Sequence, residues 1–291
     1  MSIEMKNYVS PYEEVVAYET LWAQQSIAPK HIASMFIGSD LLPSELYEIK
    51  KKEDLFNYLD LENQVKAYVK NLRGFSVCIN KTFQYPENLK ASSHPVELFY
   101  YTGDIGLLES RMISVVGARN ASERGLNNAR RIAKALVDKE ITIVSGLAVG
   151  IDTAAMTTAI NENGRTIGVI GTPVNQYYPK ENRELQKAVA KNHLLISHVP
   201  FFRYAKEAFR SKRRYFPQRN IIMATISEGT VIVEASDTSG TLTQAKACIE
   251  QRKKLYILKS CLENKEIKWP QKFLDNGAIL IENARDLIDR L

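Results

Sequence analysis

Cysteine is scarce in this 291-residue chain. The three present, Cys78, Cys248 and Cys261, are scattered and form no CxxC pair. That pattern argues against a disulfide framework and a structural zinc site, and it points to a reducing cytoplasm. Histidine is nearly as rare, and His31, His94, His193 and His198 show no metal-ligand spacing, so no metal is expected. No apolar run approaches the roughly 18 residues of a membrane span, so no membrane partner is expected. Met1–Asn7 lacks the basic-then-apolar pattern of a signal peptide. Internal repeats and low-complexity segments are absent. What remains is ordinary globular composition, 45% hydrophobic and 25% charged, which excludes wholesale disorder, collagen and fibrous coils. The length allows one large domain or two modest ones, at roughly 100–200 residues each.

Glycine is missing from one region in particular. Of 14 glycines, 11 fall between Gly103 and Gly240. The glycine-poor beginning has apolar residues at three- and four-residue spacing in Pro11–Gln25, Pro29–Phe36, Pro43–Lys52 and Leu61–Leu72, and this predicts helices. Pro11, Pro29 and Pro43 stand at their starts, where a missing N–H costs nothing. Residues 1–73 therefore read as a small all-helical domain. Gly74–Tyr101 reads as a bridge with a short strand at Phe75–Ile79. From Met112 onward the period changes. Short Val- and Ile-rich runs at Ile113–Val116, Ile141–Val144, Thr166–Ile170, Leu194–Ile196, Thr230–Val233, Leu255–Leu258 and Ile279–Ile281 read as strands buried on both faces. Helical stretches at Ser122–Asp138, Ile151–Asn161, Asn182–Lys191 and Thr241–Gln251 lie between them. Residues 74–291 are thus expected to form an α/β domain, a parallel sheet with helices on both faces.

Ligands of open parallel sheets sit outside the carboxyl ends of the strands, so the loops at those ends carry the functional reading. The first is Gly117-Ala118-Arg119-Asn120-Ala121-Ser122: a tight turn, a guanidinium fork and a helix start whose N–H groups suit an anion. A turn with a solvated arginine reads equally from the spacing. Ser145-Gly146-Leu147-Ala148-Val149-Gly150 has two glycines four apart, which suits close approach of a ligand or close packing of helix on strand. In Gly171-Thr172-Pro173 through Tyr178-Pro179-Lys180-Glu181-Asn182, Lys180 and Asn182 are candidate phosphate contacts, or Lys180 is merely solvated. The last loop, Glu234-Ala235-Ser236-Asp237-Thr238-Ser239-Gly240-Thr241, puts small hydroxyl residues and glycine at a helix start. Ser239, Gly240 and Thr241 make it the strongest anion cradle; a capped helix with Ser239 or Thr238 as the cap is the plainer and compatible reading. Neither GxGxxG nor GxxxxGK[ST] occurs, so no standard dinucleotide site and no cofactor are expected.

Charge is concentrated. Lys and Arg number 39 against 33 Asp and Glu, a formal +6. Phe201–Arg219 alone holds seven cations (Arg203, Lys206, Arg210, Lys212, Arg213, Arg214, Arg219) and one acid, Glu207, interleaved with Phe201, Phe202, Tyr204, Phe209, Tyr215 and Phe216. Cations release counterions from a phosphate backbone and aromatic faces stack on unpaired bases, so the segment reads as a nucleic-acid contact. A solvated basic loop whose aromatics join the core is the plainer alternative.

In this order the motifs resemble the DNA-processing protein A family (DprA, also called Smf). The likeness rests on Tyr85-Pro86 with Leu89, Pro95 through Gly103, Val116-Gly117-Ala118-Arg119 with Ser122 and Gly125, and Ser145-Gly146-Leu147-Ala148 with Gly150-Ile151-Asp152. It continues through Tyr178-Pro179 with Asn182, Phe216-Pro217 with Arg219-Asn220 and Ile222, Val233-Glu234-Ala235 with Ser239-Gly240-Thr241-Leu242, and Asn276-Gly277-Ala278. The resemblance implies an extended Rossmann-like fold that binds single-stranded DNA in a basic pocket, forms a homodimer, protects incoming DNA in natural transformation and loads a RecA-type recombinase. It implies no catalysis. The expected DNA-contact set is Gly117, Ala118, Arg119, Ser145, Gly146, Lys180, Asn182, Lys212, Arg213, Arg214, Arg219, Asn220, Ser239, Gly240 and Thr241. The chain departs from the family pattern at Met156 (often histidine), Ile221 (often a second arginine) and His198 (usually glutamate). It runs out about where the Rossmann domain should end, so the winged helix that some members add is not expected.

Two alternatives use the same fold. A nucleotide-cleaving phosphoribohydrolase would carry Gly-Gly-x-Gly-Thr-x-x-Glu, but Gln244 stands at the acid's place, and an amide is no general acid or base. Glu234 and Asp237 are the nearby carboxylates that keep that reading open. A sensor would bind a free nucleotide in the same pocket.

Overall fold

A computed structural model describes residues 9–24, 29–82, 85–90, 96–264 and 266–291. Gln25, where the first helix was expected to end, lies outside them, as do His94, Pro95 and Met1–Asn7. The chain begins with helices α1 (Pro11–Ala23), α2 (Pro29–Phe36), α3 (Pro43–Glu53) and α4 (Leu55–Val69). Ser10 caps α1 by accepting the Glu13 N–H, and Asp54 does the same for Asn57 at the start of α4. Strand β1 (Ser76–Ile79), the short α5 (Glu87–Lys90) and β2 (Leu98–Gly103) follow. The α/β alternation then runs β3 (Met112–Val116), α6 (Glu123–Val137), β4 (Thr142–Ser145), α7 (Ile151–Asn161), β5 (Thr166–Ile170), α8 (Arg183–Asn192) and β6 (Leu194–Ser197). It closes with α9 (Phe201–Lys206), α10 (Tyr215–Ile226), β7 (Gly229–Ile232), α11 (Thr241–Glu250), β8 (Lys254–Leu258), α12 (Trp269–Leu274), β9 (Ile279–Ile281) and α13 (Ala284–Asp289).

The nine strands form one sheet in the order β1-β2-β6-β5-β4-β3-β7-β8-β9. From β3 the chain winds outward through β4, β5 and β6, then returns to lay β7, β8 and β9 on the other side. The winding reverses between β3 and β7, where Ile113 stands opposite Gly229. The strands expected to form a parallel sheet, β3 to β9, all pair parallel, and an antiparallel edge is added to them. β2, absent from the sequence reading and set there inside a bridge, pairs antiparallel with β6 (Tyr100 opposite Ser197) and with β1. A strand added at an edge needs no crossover helix, so the strand–helix alternation carried no signal of it.

The central strands are buried on both faces because each side-chain parity enters a different helical layer. Ile113 and Val115 pack with Ile132 and Leu136 of α6 and Ala155 of α7, whereas Met112 and Val116 pack with Met223 of α10 and Ala245 of α11. The helical segment shares a core with the antiparallel edge: Leu21 and Trp22 of α1 cluster with Ile79, Leu98, Tyr100, Phe201, Phe202 and Tyr215. At its centre Glu19 is fully buried. It accepts the Tyr100 hydroxyl at 2.5 Å and the Phe201 and Phe202 N–H groups at 2.8 and 3.0 Å. Burial raises its pKa to about 7 despite those three donors.

Candidate functional site

A doubly wound sheet opens a crevice where the winding reverses, since the loops after the two central strands leave toward opposite sides. Here those loops are Gly117–Ser122 after β3 and Val233–Gly240 after β7. Between them lies a cavity of about 500 Å³. The loops supply Gly117, Ala118, Arg119, Asn120, Glu234, Ala235, Ser236, Thr238, Ser239 and Gly240 to its walls; α10 supplies Phe216, Arg219, Asn220 and Met223; Val116, Ala148, Asp152, Thr241, Gln244 and Ile267 complete it. The α10 residues recur at three- and four-residue spacing, so one helical face closes the crevice. A narrow annex of about 30 Å³ continues past Phe216 and Arg219 to Gly146, Gly171, Tyr178 and Pro179.

Cations and acids in this cavity are held differently. Arg219 is buried, 5% exposed, and its Nη1 donates to the carbonyls of Gly146 (2.6 Å) and Val169 (3.2 Å). Burial lowers its pKa to about 10, with Asp152 opposing the shift and Arg119 adding to it, so it stays charged at neutral pH. Asp152 accepts the Gly146 N–H at 3.0 Å and the Ala148 N–H at 3.4 Å; burial raises its pKa while Arg219 and these amides pull it down. Arg119 has no carboxylate partner among the described residues, and its guanidinium lies 6.0 Å over the Phe216 ring. Arg219 approaches the same ring at 5.7 Å. Phe216 thus has two guanidinium groups close to its ring, and all three side chains are common to cavity and annex.

The anion site expected at the start of α6 is already filled from within. Glu234 accepts the Ser122 N–H at 3.0 Å and its hydroxyl at 2.6 Å, and Ser122 Oγ accepts the Gly125 N–H. The helix end therefore holds a carboxylate of the protein itself. α11 is more open: its cap residue Gly240 has no side chain, and Ser239 Oγ accepts only the Thr241 N–H, at 3.2 Å. The two glycines of the loop after β4 serve packing. A Cβ on Gly146 would sit 1.5 Å from Arg219 Nη1, and one on Gly150 (φ +83°) would sit 2.3 Å from the Ala118 carbonyl.

Of the residues expected at the site, Gly117, Ala118, Arg119, Arg219, Asn220, Ser239, Gly240 and Thr241 share the cavity, and Gly146 reaches the annex. Asn220 donates to the Gly240 carbonyl at 2.8 Å, which ties α10 to the last cradle. The others lie elsewhere. Ser145 is buried and donates to the Val115 carbonyl at 2.8 Å. Asn182 is buried and spends its amide protons on the Leu147 carbonyl and the Thr153 hydroxyl, both at 2.8 Å. Lys180 is exposed on the turn before α8. Lys212, Arg213 and Arg214 form a turn before α10: Lys212 lies 4.4 Å over the Tyr204 ring, Arg213 is exposed, and Arg214 pairs with Glu207. The basic segment is therefore divided. Phe201, Phe202 and Tyr215 join the core with the helical segment, while Phe216 and Arg219 reach the cavity. The expected contact set left out Asn120 and Gln244, and Phe216 was named only among the aromatics of the basic segment, although it stands three residues before Arg219 on one helix face.

The family described as DNA recombination-mediator protein A matches residues 76–291. The chain belongs to this family. It is 34% identical over 209 residues to the DNA processing protein DprA of Bacillus subtilis, covering 72% of this chain and 68% of that one. It is 30% identical over 204 residues to the DprA of Streptococcus pneumoniae, 70% of each chain. Among solved structures, DprA of Streptococcus pneumoniae superposes with a TM-score of 0.80 at 24% identity, over 98% of this chain and 99% of that one. DNA processing protein A of Helicobacter pylori, solved for its single-stranded DNA binding mode, gives 0.63 at 23% identity over 74% and 94%. Both share the fold, and the first covers the helical segment as well. The family match thus takes in every loop that lines the cavity. Among the described residues no helix is long and apolar enough to cross a membrane, and no three His, Cys, Asp or Glu side chains gather as a metal site would require.

Proposed function

We propose that this protein binds single-stranded DNA in the cavity between the β3 and β7 loops and acts as a recombination mediator without chemistry of its own. The observation that carries the reading is the meeting of Arg119, Phe216 and the Ser239–Thr241 loop, distant in sequence, around one cavity. An arginine without an acid partner takes a phosphate, an aromatic wall takes an unpaired base, and an open helix start takes a second phosphate. The single-strand binding mode of the Helicobacter pylori relative supports the same assignment. Delivery of the strand to a RecA-type recombinase, a homodimeric assembly and a role in natural transformation are further parts of this proposal. A cytoplasmic setting fits three buried cysteines, none of them in a disulfide. Against nucleotide hydrolysis stands the engagement of the nearby acids: Glu234 holds Ser122, Asp152 holds Gly146 and Ala148, and Asp237 accepts the Lys268 and Trp269 N–H groups.

Fluorescence anisotropy with single-stranded and duplex oligonucleotides of equal length tests the reading, with mononucleotides as competitors. Preference for the single strand, with weak competition by mononucleotides, is the expected result. Equal affinity for duplex would discard it, and competition by a mononucleotide as strong as by the oligonucleotide would favour a nucleotide sensor.

A further inference from the structure

The annex ends at Tyr178, and the tyrosine before it in the chain, Tyr177, lies outside the site. Tyr178 and Tyr177 are 38% and 41% exposed, in the loop between β5 and α8 at the same sheet rim. Tyr178 leans on Phe216 with ring centroids 5.5 Å apart. Tyr177 lies beneath the guanidinium of Arg183, 5.1 Å from its centroid. Arg183 is exposed and has no carboxylate partner among the described residues; the adjacent Glu184 is held by Lys187 at 2.9 Å. Glu181 and Lys180 lie on the same turn, one charge of each sign. Single exposed aromatics on a surface need no explanation. These two form a series with the cavity wall: Arg119 and Phe216, then Tyr178, then Tyr177 with Arg183.

We propose that Tyr177 and Arg183 form a second stacking station for an unpaired base, outside the cavity, on the path by which the strand leaves it over Tyr178. The proposal rests on the single-strand reading above and adds to it a direction and a footprint. The strand runs from the Ser239–Gly240 cradle across Phe216 to the β5 loop. A guanidinium lying over a tyrosine face keeps its N–H edge free for a phosphate while the ring edge and its other face remain open to a base. Such a station reads no sequence, since every base has a π-face.

Length dependence tests this. Affinities of the full chain and of Tyr177→Ala/Arg183→Ala are measured for oligothymidylates from about 3 to about 12 nucleotides, within the usual range of single-strand sites. The variant is expected to match the wild type on the shortest strands, which the cavity alone holds, and to bind the longer ones about tenfold more weakly, the loss of one stacked base. Tyr177→Phe is expected to keep full affinity, because the ring and not the hydroxyl acts. An unchanged thermal melt checks that the exposed substitutions leave the fold intact. An equal loss at every length, or none at any, overturns the exit station. Failure of the wild type to bind any of the strands overturns it together with the single-strand reading.

Discussion

Two pairs of arginines, all but one from the same short stretch of chain, show how differently one side chain is used. Arg203 and Arg214 both bond Glu207, the first at 2.7 Å, and Arg203 also donates to the Trp22 carbonyl at 2.9 Å. They fasten α9 and the start of α10 to the helical segment. Arg119 and Arg219 flank Phe216 in the cavity, and no acid forms an ion pair with either among the described residues. A guanidinium is always charged and carries five donors. Whether it binds the protein or waits for a phosphate is decided by what stands beside it, so local charge density alone could not separate the two pairs.

The largest expected effect comes from treating Arg219 as free when it is partly structural. Arg219→Met strips the Gly146 and Val169 carbonyls of their donor and leaves Asp152 without its nearest compensating charge. It should cost about 3 kcal/mol or more of stability, and roughly 6 °C or more in melting temperature for a chain of this size. Calorimetry decides, and a melt within a degree of wild type would place Arg219 among the ligand-facing residues alone. Next comes Glu207→Gln, which leaves Arg203 and Arg214 without their acid. A loss of about 1–3 kcal/mol is expected, with single-strand affinity unchanged; weaker DNA binding would merge the two pairs. Arg119→Ala should show the reverse, an unaltered melt and binding weaker by about 1–3 kcal/mol. The slope of log affinity against log salt should also flatten by about 0.7, one phosphate contact on a single strand. A salt slope equal to wild type would show that Arg119 meets no phosphate.

A pH dependence sharpens the comparison at Glu19, an acid that meets the Tyr100 hydroxyl and two backbone N–H groups rather than arginines. Its pKa of about 7 lies above the ordinary 4.5, so between those values the folded chain binds more protons than the unfolded one. The contribution is fully present below about pH 4.5, declines as pH rises and is lost above about 7. Relative to Glu19→Gln, which cannot titrate, the wild type should lose stability across that window and level off beyond it. Urea titrations at several pH values measure the difference, and parallel curves would show that Glu19 keeps its proton or its charge throughout.

The fold was legible in the sequence wherever burial was one-sided or strand followed helix. α2 and α7 fall on the expected residues, and α6 differs only by its two caps, Ser122 and Asp138, which the expected span included. α10 was not legible because it is buried on both sides. Ile222, Met223, Ala224, Thr225 and Ile226 are all inside, so no amphipathic period marks it, and Pro217 in its first turn reads as a break although that position tolerates proline. The cavity was half legible. The strand-end rule found the loops, but the sequence could not tell that Glu234 fills the start of α6 or that Asn182 turns its amide inward. Both depend on contacts across more than 25 residues of chain.

Consecutive residues of α10 look into different rooms: Phe216 into the cavity and Tyr215 into the apolar cluster, where its ring lies 6.1 Å from that of Trp22. The other tryptophan, Trp269, donates its indole N–H at 3.0 Å to the carbonyl of Ala235, a cavity-wall residue. Trp269 thus sits one neighbour away from whatever enters, whereas Tyr215 and Phe216 stand between Trp22 and the cavity. Occupation of the cavity is therefore expected to register in the fluorescence of Trp269 in unlabelled protein, through the Ala235 wall.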